Sequence, residues 1–344
     1  MNRSRQLAVP ALLFLVMAVW LSPAFSGKKD RPEIDRELLA KTVRTFDVTL
    51  RGDRAFVGRT SGFDILDITD PSSPVLLGSL ELTSTVTGVA VEGNTAFLAA
   101  GKLGLLVVDI TEEEQPVLRS RHDTPGLTRQ VIMRGEIALL ADGVQGLVAL
   151  DISRQDKPVR RSTLSSRNRI RGMSADRDLL ATAEGTAGVR LIDISRPDQP
   201  RALRSVRMTE GALDVALEGN LLAVAAGNRG VLVYRLESGD RPERVAVIEG
   251  PGKAVSVSLT GGVATICMGG RGVQVVDLTT PTDPVELAAM RLPRGFPALR
   301  SVLQDGLVFI ASDIAGLAVL DLDQEAGPLF ILPKARSFKV TWSD

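Results

Sequence analysis

Apolar residues along this chain fall into short runs separated by turn residues, and the runs recur at a nearly fixed spacing. Four such runs follow one another between Gly93 and Gly135, and the same order returns over most of the sequence. Three landmarks set the period. A glycine opens an apolar run at Gly62, Gly104, Gly146, Gly188, Gly230, Gly272 and Gly316, with five intervals of 42 residues and a last one of 44. A proline stands 12 residues after each of them, from Pro74 to Pro328. A turn residue stands 11 before the glycine in the five middle copies, at Gly93, Gly135, Arg177, Gly219 and Gly261, and 10 before it in the first and last, at Gly52 and Gly306. Strand-like runs between turn signals at such a period are the mark of propeller blades. Seven copies predict an all-β protein, a seven-bladed β-propeller of four-stranded antiparallel blades.

The second copy shows the expected strands. The innermost runs from Thr87 to Glu92 and ends at Gly93-Asn94, a pair suited to a tight hairpin because both central residues take positive φ. The second, Thr95 to Ala100, leads into a Gly-x-x-Gly loop; the third, Leu105 to Ile110, is apolar at every position before its aspartate, as a strand covered on both faces must be. The fourth starts at Pro116 and alternates, which suits a half-solvated outer strand. A sheet apolar on both faces needs cover on both, and a closed ring of such sheets supplies it.

The runs Gly104-Leu-Leu-Val-Val-Asp-Ile110, Gly146-Leu-Val-Ala-Leu-Asp-Ile152, Gly188-Val-Arg-Leu-Ile-Asp-Ile194 and Gly272-Val-Gln-Val-Val-Asp-Leu278 resemble the LVIVD repeats of exported bacterial and archaeal proteins. The resemblance covers roughly residues 43–332. It implies a β-propeller that is secreted or displayed at the cell surface, and it carries over no catalytic motif. The expected division is a signal peptide at 1–26, a linker or strap at 27–42, the propeller at 43–332 and a tail at 333–344 that offers one further strand. The seventh copy owns its fourth strand, Pro328 to Leu332, so the ring need not borrow one from the N-terminus; Glu33 to Ala40 aligns with the same position and could compete for it or pack beneath.

The front of the chain changes the picture. Arg3 and Arg5, the apolar run Leu12 to Leu21 and the small-x-small triplet Ala24-Phe25-Ser26 read as a secretory leader, so the expected location is periplasmic, cell-surface or extracellular, with no membrane anchor after cleavage. Without the leader, 39 basic residues face 41 acidic ones, a balance that argues against nucleic acid as a partner. One cysteine, Cys267, excludes an internal disulfide and reads as a small buried hydrophobe. One histidine, His122, is too few for a zinc or histidine-based site and is expected at the solvent. No cofactor is expected, and the chain is expected to be a monomer.

Two sets of charged residues recur. Asp67, Asp109, Asp151, Asp193, Asp277 and Asp321 end third strands and are expected to accept N–H groups of the turns that follow; the fifth blade has Arg235 there. The second set lies on the innermost strands. Six residues before the turn stand Phe46, Thr87, Arg129, Arg171, Leu213, Val255 and Arg300, and two residues earlier Arg44, Arg169 and Lys253. Arg44, Arg129, Arg169, Arg171, Lys253 and Arg300 are thus candidate ligand residues at one mouth of the channel, where guanidinium groups can hold a carboxylate or phosphate. Against this, Asp47 and Asp214 lie one residue further in, and Asp142, Glu184 and Asp313 lie on the loops, so local ion pairing competes. Asp47 and Asp214 also offer a carboxylate pair for glycosidase-type chemistry. The functional expectation is an exported binding or scaffold protein presenting its loop-rich face to a protein or cell-envelope partner. The alternative is an enzyme or receptor for a small anionic ligand at the channel mouth.

Overall fold

Runs and turns build seven four-stranded antiparallel sheets in a computed structural model that describes residues 44–237, 242–292, 296–313, 316–322 and 329–331. The leader, the strap with Glu33 to Ala40, Pro328 and the tail fall outside the described residues. Strands follow chain order within each sheet; blade 2 runs Gly88–Glu92, Thr95–Ala99, Leu105–Asp109 and Val117–His122. The first strands of successive blades touch one another in turn, and the first strand of blade 7, Arg300–Gln304, touches that of blade 1, Thr45–Arg51, which closes the ring. Blade 7 has its own outer strand, Leu329–Ile331, paired antiparallel to Leu317–Val319 of its third.

The two-faced apolar runs follow from where alternate residues go. In blade 2, Leu106 and Val108 join Phe56, Phe63 and Ile65 of blade 1 in one cluster. Their neighbours Leu105 and Val107 join Val131, Ala138 and Leu140 of blade 3 in another. Successive side chains of a strand point to opposite faces, so one run feeds two interfaces. Seven clusters result among the described residues, one at each junction. Cys267 belongs to the junction of blades 6 and 7, fully buried, its thiol pushed up to about 12 by that burial.

Backbone hydrogen bonds also cross every junction. The residue that closes a second strand or opens the loop after it accepts an N–H from the segment entering the next blade: Val86 to Arg59 at 3.0 Å, Thr128 to Gly101 at 3.1 Å, Ile170 to Gly143 at 3.2 Å and Ala212 to Gly185 at 2.9 Å. Ala254 to Gly227, Ala298 to Gly269 and Thr45 to Asp313 complete the circle at 3.0, 3.1 and 2.8 Å. The first glycine of each Gly-x-x-Gly loop therefore does more than turn the chain. At Gly101 φ is +57°, a conformation other residues adopt at a cost, and that conformation lets the loop bond the next blade.

Candidate functional site

In blades 2 to 7 the start of the innermost strand is pinned by one hydrogen bond, and that bond defines equivalent positions in those blades. Thr87, Arg129, Arg171, Leu213, Val255 and Leu299 each donate N–H to the carbonyl of Ala99, Ala141, Ala183, Ala225, Cys267 and Ala311, at 2.8 to 3.0 Å. Blade 7 departs from the sequence alignment here. Gln304 pairs with Leu307, so its hairpin turns at Asp305-Gly306, one residue earlier than the landmark at Gly306. Asp305 takes positive φ, as the turn glycines do. Leu299 therefore holds the rim position expected for Arg300, and Arg300 lies one residue deeper, at the level of Asp47 and Asp214. A one-residue slip moves every side chain of a strand to the other face.

That slip decides the role of Arg300. Its Nη1 lies 3.2 Å from Asp214 Oδ2 and its Nε 3.4 Å from Asp47 Oδ1. Both carboxylates also accept an N–H from the next blade, Asp47 from Val89 at 2.8 Å and Asp214 from Val257 at 3.3 Å. Asp214 Oδ1 is buried with no hydrogen-bond partner. Glycine at 172 makes room for it, since a Cβ there would lie 1.9 Å from that oxygen. Burial raises Asp47 to about 6 against the opposing effects of Arg300 and the backbone N–H groups. The two carboxylates that could have served a glycosidase thus share one guanidinium below the mouth.

Above this layer lies a cavity of about 510 Å³, lined by Phe46, Thr87, Arg129, Arg169, Arg171, Leu213, Lys253, Val255, Leu299 and Arg300. Five of the six candidate ligand residues meet there. Arg44 does not line it; its guanidinium holds Asp313, with Nη2 to Oδ2 at 2.7 Å, and half of its side chain is exposed. Among the described residues no carboxylate lines the cavity. The loop acids are engaged elsewhere: Asp142 accepts from Thr124, Gly126 and Thr128, and Glu184 pairs with Arg190 at 3.0 Å. Ion pairing therefore accounts for Arg44 and Arg300, while Arg129, Arg169, Arg171 and Lys253 have no acidic partner among the described residues. Arg129 is the most constrained. Its Nε is buried without a hydrogen-bond acceptor, and burial together with Arg169 and Arg171 lowers its pKa.

The turn carboxylates lie at the other end of the blades. Asp67, Asp109, Asp151, Asp193 and Asp277 each accept the N–H two residues on, at 2.7 to 2.9 Å, in Asx turns. Hydrogen bonds from Thr111 and Arg119 hold Asp109 at about 2, and those from Ser153 and Arg161 do the same for Asp151. Asp321 ends the third strand of blade 7, but the turn after it falls outside the described residues. His122 is partly covered rather than exposed, and burial, then Arg160, lowers its pKa. Among the described residues no group of three or more His, Cys, Asp or Glu could hold a metal ion, and no helix is long and apolar enough to cross a membrane.

Sequence reasoning missed Leu299 as a rim residue, although a signal was present. Asp305-Gly306 is a good hairpin pair, and Asp305 stands 11 residues before Gly316, the spacing of the middle copies. Comparison with known proteins agrees with the fold. The sequence profile described as LVIVD repeat matches residues 44–81, 85–124, 125–160 and 251–290, which are blades 1, 2, 3 and 6. No curated protein sequence matches the chain. Among solved structures, that of the computationally designed Ika8 protein is similar over 80% of this chain and 82% of that one, at 14% identity and a TM-score of 0.60. At that identity the likeness concerns the fold alone.

Proposed function

Taking the chain as a propeller of LVIVD repeats, a fold consistent with a binding or scaffold role, we propose that it is an exported binding protein that receives an anionic group at the loop-side mouth of its channel. The observation that carries this reading is a set of cations without counter-charge among the described residues: Arg129, Arg169, Arg171 and Lys253 face one cavity that no described carboxylate lines. A buried donor left unpaired costs about 1–3 kcal/mol, and the Arg129 Nε is such a donor. Like charges gathered around it add to the cost. A bound oxyanion would satisfy the donor and relieve the repulsion together, through the bidentate geometry that guanidinium groups favour. The leader-like sequence at 1–26 supports export.

A second reading, in which the loop-rich face grips a protein or envelope component, is favoured by the exposure of Arg169, Arg171 and Lys253 at the rim, where an acidic surface could reach them. Thermal unfolding with added pyrophosphate or citrate at low salt tests the first. Saturation at a hundred times Kd stabilises by about 2.7 kcal/mol, so the melting temperature should rise by several degrees in the wild type. It should not respond in the variant carrying Arg129→Ala and Arg171→Ala. Equal responses of the two proteins, or none from the wild type, overturn the small-anion reading. In the second case, capture of a single protein from the host that is lost with the same double variant would favour the other.

A further inference from the structure

The cations of the well are not spread evenly around it. Three guanidinium groups crowd the side formed by blades 3 and 4, from Arg129, Arg169 and Arg171. The opposite side, formed by blades 5, 6, 7 and 1, presents Leu213, Val255, Leu299 and Phe46. All four are only partly covered. Arg300, the cation of blade 7, does not interrupt this arc with free charge, because Asp47 and Asp214 hold it from below. Lys253 of blade 6 lines the same cavity with its stem along Gly227 beside Leu213, so one ammonium group stands at the rim of the apolar arc.

A bare oxyanion would use one half of such a well and leave the other half wet. Apolar side chains gathered in a concave site gain by being covered, roughly in proportion to the area removed from water. The cavity, about 510 Å³, is also larger than an inorganic anion fills. Resting on the reading of the well as an anion site, we infer that the ligand is an amphipathic anion, with a phosphate or carboxylate head on Arg129, Arg169 and Arg171 and a hydrocarbon body against Phe46, Leu213, Val255 and Leu299. The two halves divide the recognition. The guanidinium arc selects charge, and the apolar arc selects against anions that are hydrated all round.

Calorimetric titration of the purified protein with four probes tests this: inorganic phosphate, hexyl phosphate, acetate and hexanoate. For at least one head, the hexyl compound should bind tighter than its bare counterpart by roughly tenfold or more, as burial of several methylene groups requires. Which pair shows the gain separates a phosphate head from a carboxylate head. Phe46→Ser combined with Val255→Ser should erase the gain while changing the affinity for the bare anion by no more than about twofold, since the two sites are then nearly independent. Should that variant fail to keep its melting transition, the four-probe series on the wild type decides alone. Equal affinity of bare and hexyl compounds overturns the inference and leaves the anion reading standing. Binding of none of the four overturns both.

Discussion

Asp47 and the Nε of Arg129 are both buried, and they differ in what the fold offers them. Asp47 has a guanidinium and a backbone N–H within reach, yet burial still raises it to about 6. A carboxyl raised in the folded state stabilises the protein fully below the ordinary carboxylate value, and that contribution is lost as pH rises through 6. Between pH 4 and 6 the wild type should lose on the order of 2–3 kcal/mol from this group, at about 1.4 kcal/mol per pKa unit. Asp47→Asn should flatten that window in urea unfolding measured at several pH values. The turn carboxylates act in the opposite sense. Asp109 and Asp151, held near 2, contribute stability above the ordinary value that is lost as pH falls from about 4 toward 2. Arg129 has no acidic partner among the described residues, and its Nε is left without an acceptor.

The strand is the scale at which these choices are made, because a strand sends alternate residues to different neighbours. Phe97 and Ala99 serve the junction of blades 2 and 3, while Ala96 and Leu98, alternating with them in sequence, serve that of blades 1 and 2. Phe97 is 1% exposed, so Phe97→Ala should cost about 3–5 kcal/mol and shift the urea midpoint accordingly. Val117, on the outer strand of the same blade, is 53% exposed, and Val117→Ala should move the midpoint by no more than about 0.5 kcal/mol. The outer strands of blades 1 to 6 each carry a register shift, and in blades 2 and 3 Arg119 and Arg161 fall at it. Each of those arginines returns to the aspartate ending the third strand.

At the scale of the whole molecule, closure rests on Thr45. Its N–H bonds the Asp313 carbonyl, its hydroxyl bonds the Gly316 carbonyl at 2.8 Å, and Arg44 beside it clasps Asp313. Val48, Val57, Phe309 and Val319 pack behind this seam. Loss of one such side-chain bond costs about 1 kcal/mol. Thr45→Val should therefore speed hydrogen exchange at the amides of Thr45 and Thr60 while leaving the first strand of blade 4, Gly172–Asp176, unchanged. Equal acceleration everywhere would mean that the ring opens as one unit rather than at this seam.

Blade number, strand order and the pairing of turn aspartates with the N–H two residues on are properties of local sequence. Each depends on residues within one repeat, and the repeat recurs seven times. The grouping of Arg129, Arg169, Arg171 and Lys253 was legible in the same way, through equal distances to a turn. Whether those charges were answered was not, since an ion pair depends on which residues of different blades meet across the axis. A slip of one residue in the blade 7 hairpin placed Arg300 between Asp47 and Asp214 and Leu299 on the rim. Periodicity along a chain records what each strand offers; only closure of the ring brings residues 86 and 253 positions apart to one guanidinium and leaves the others bare.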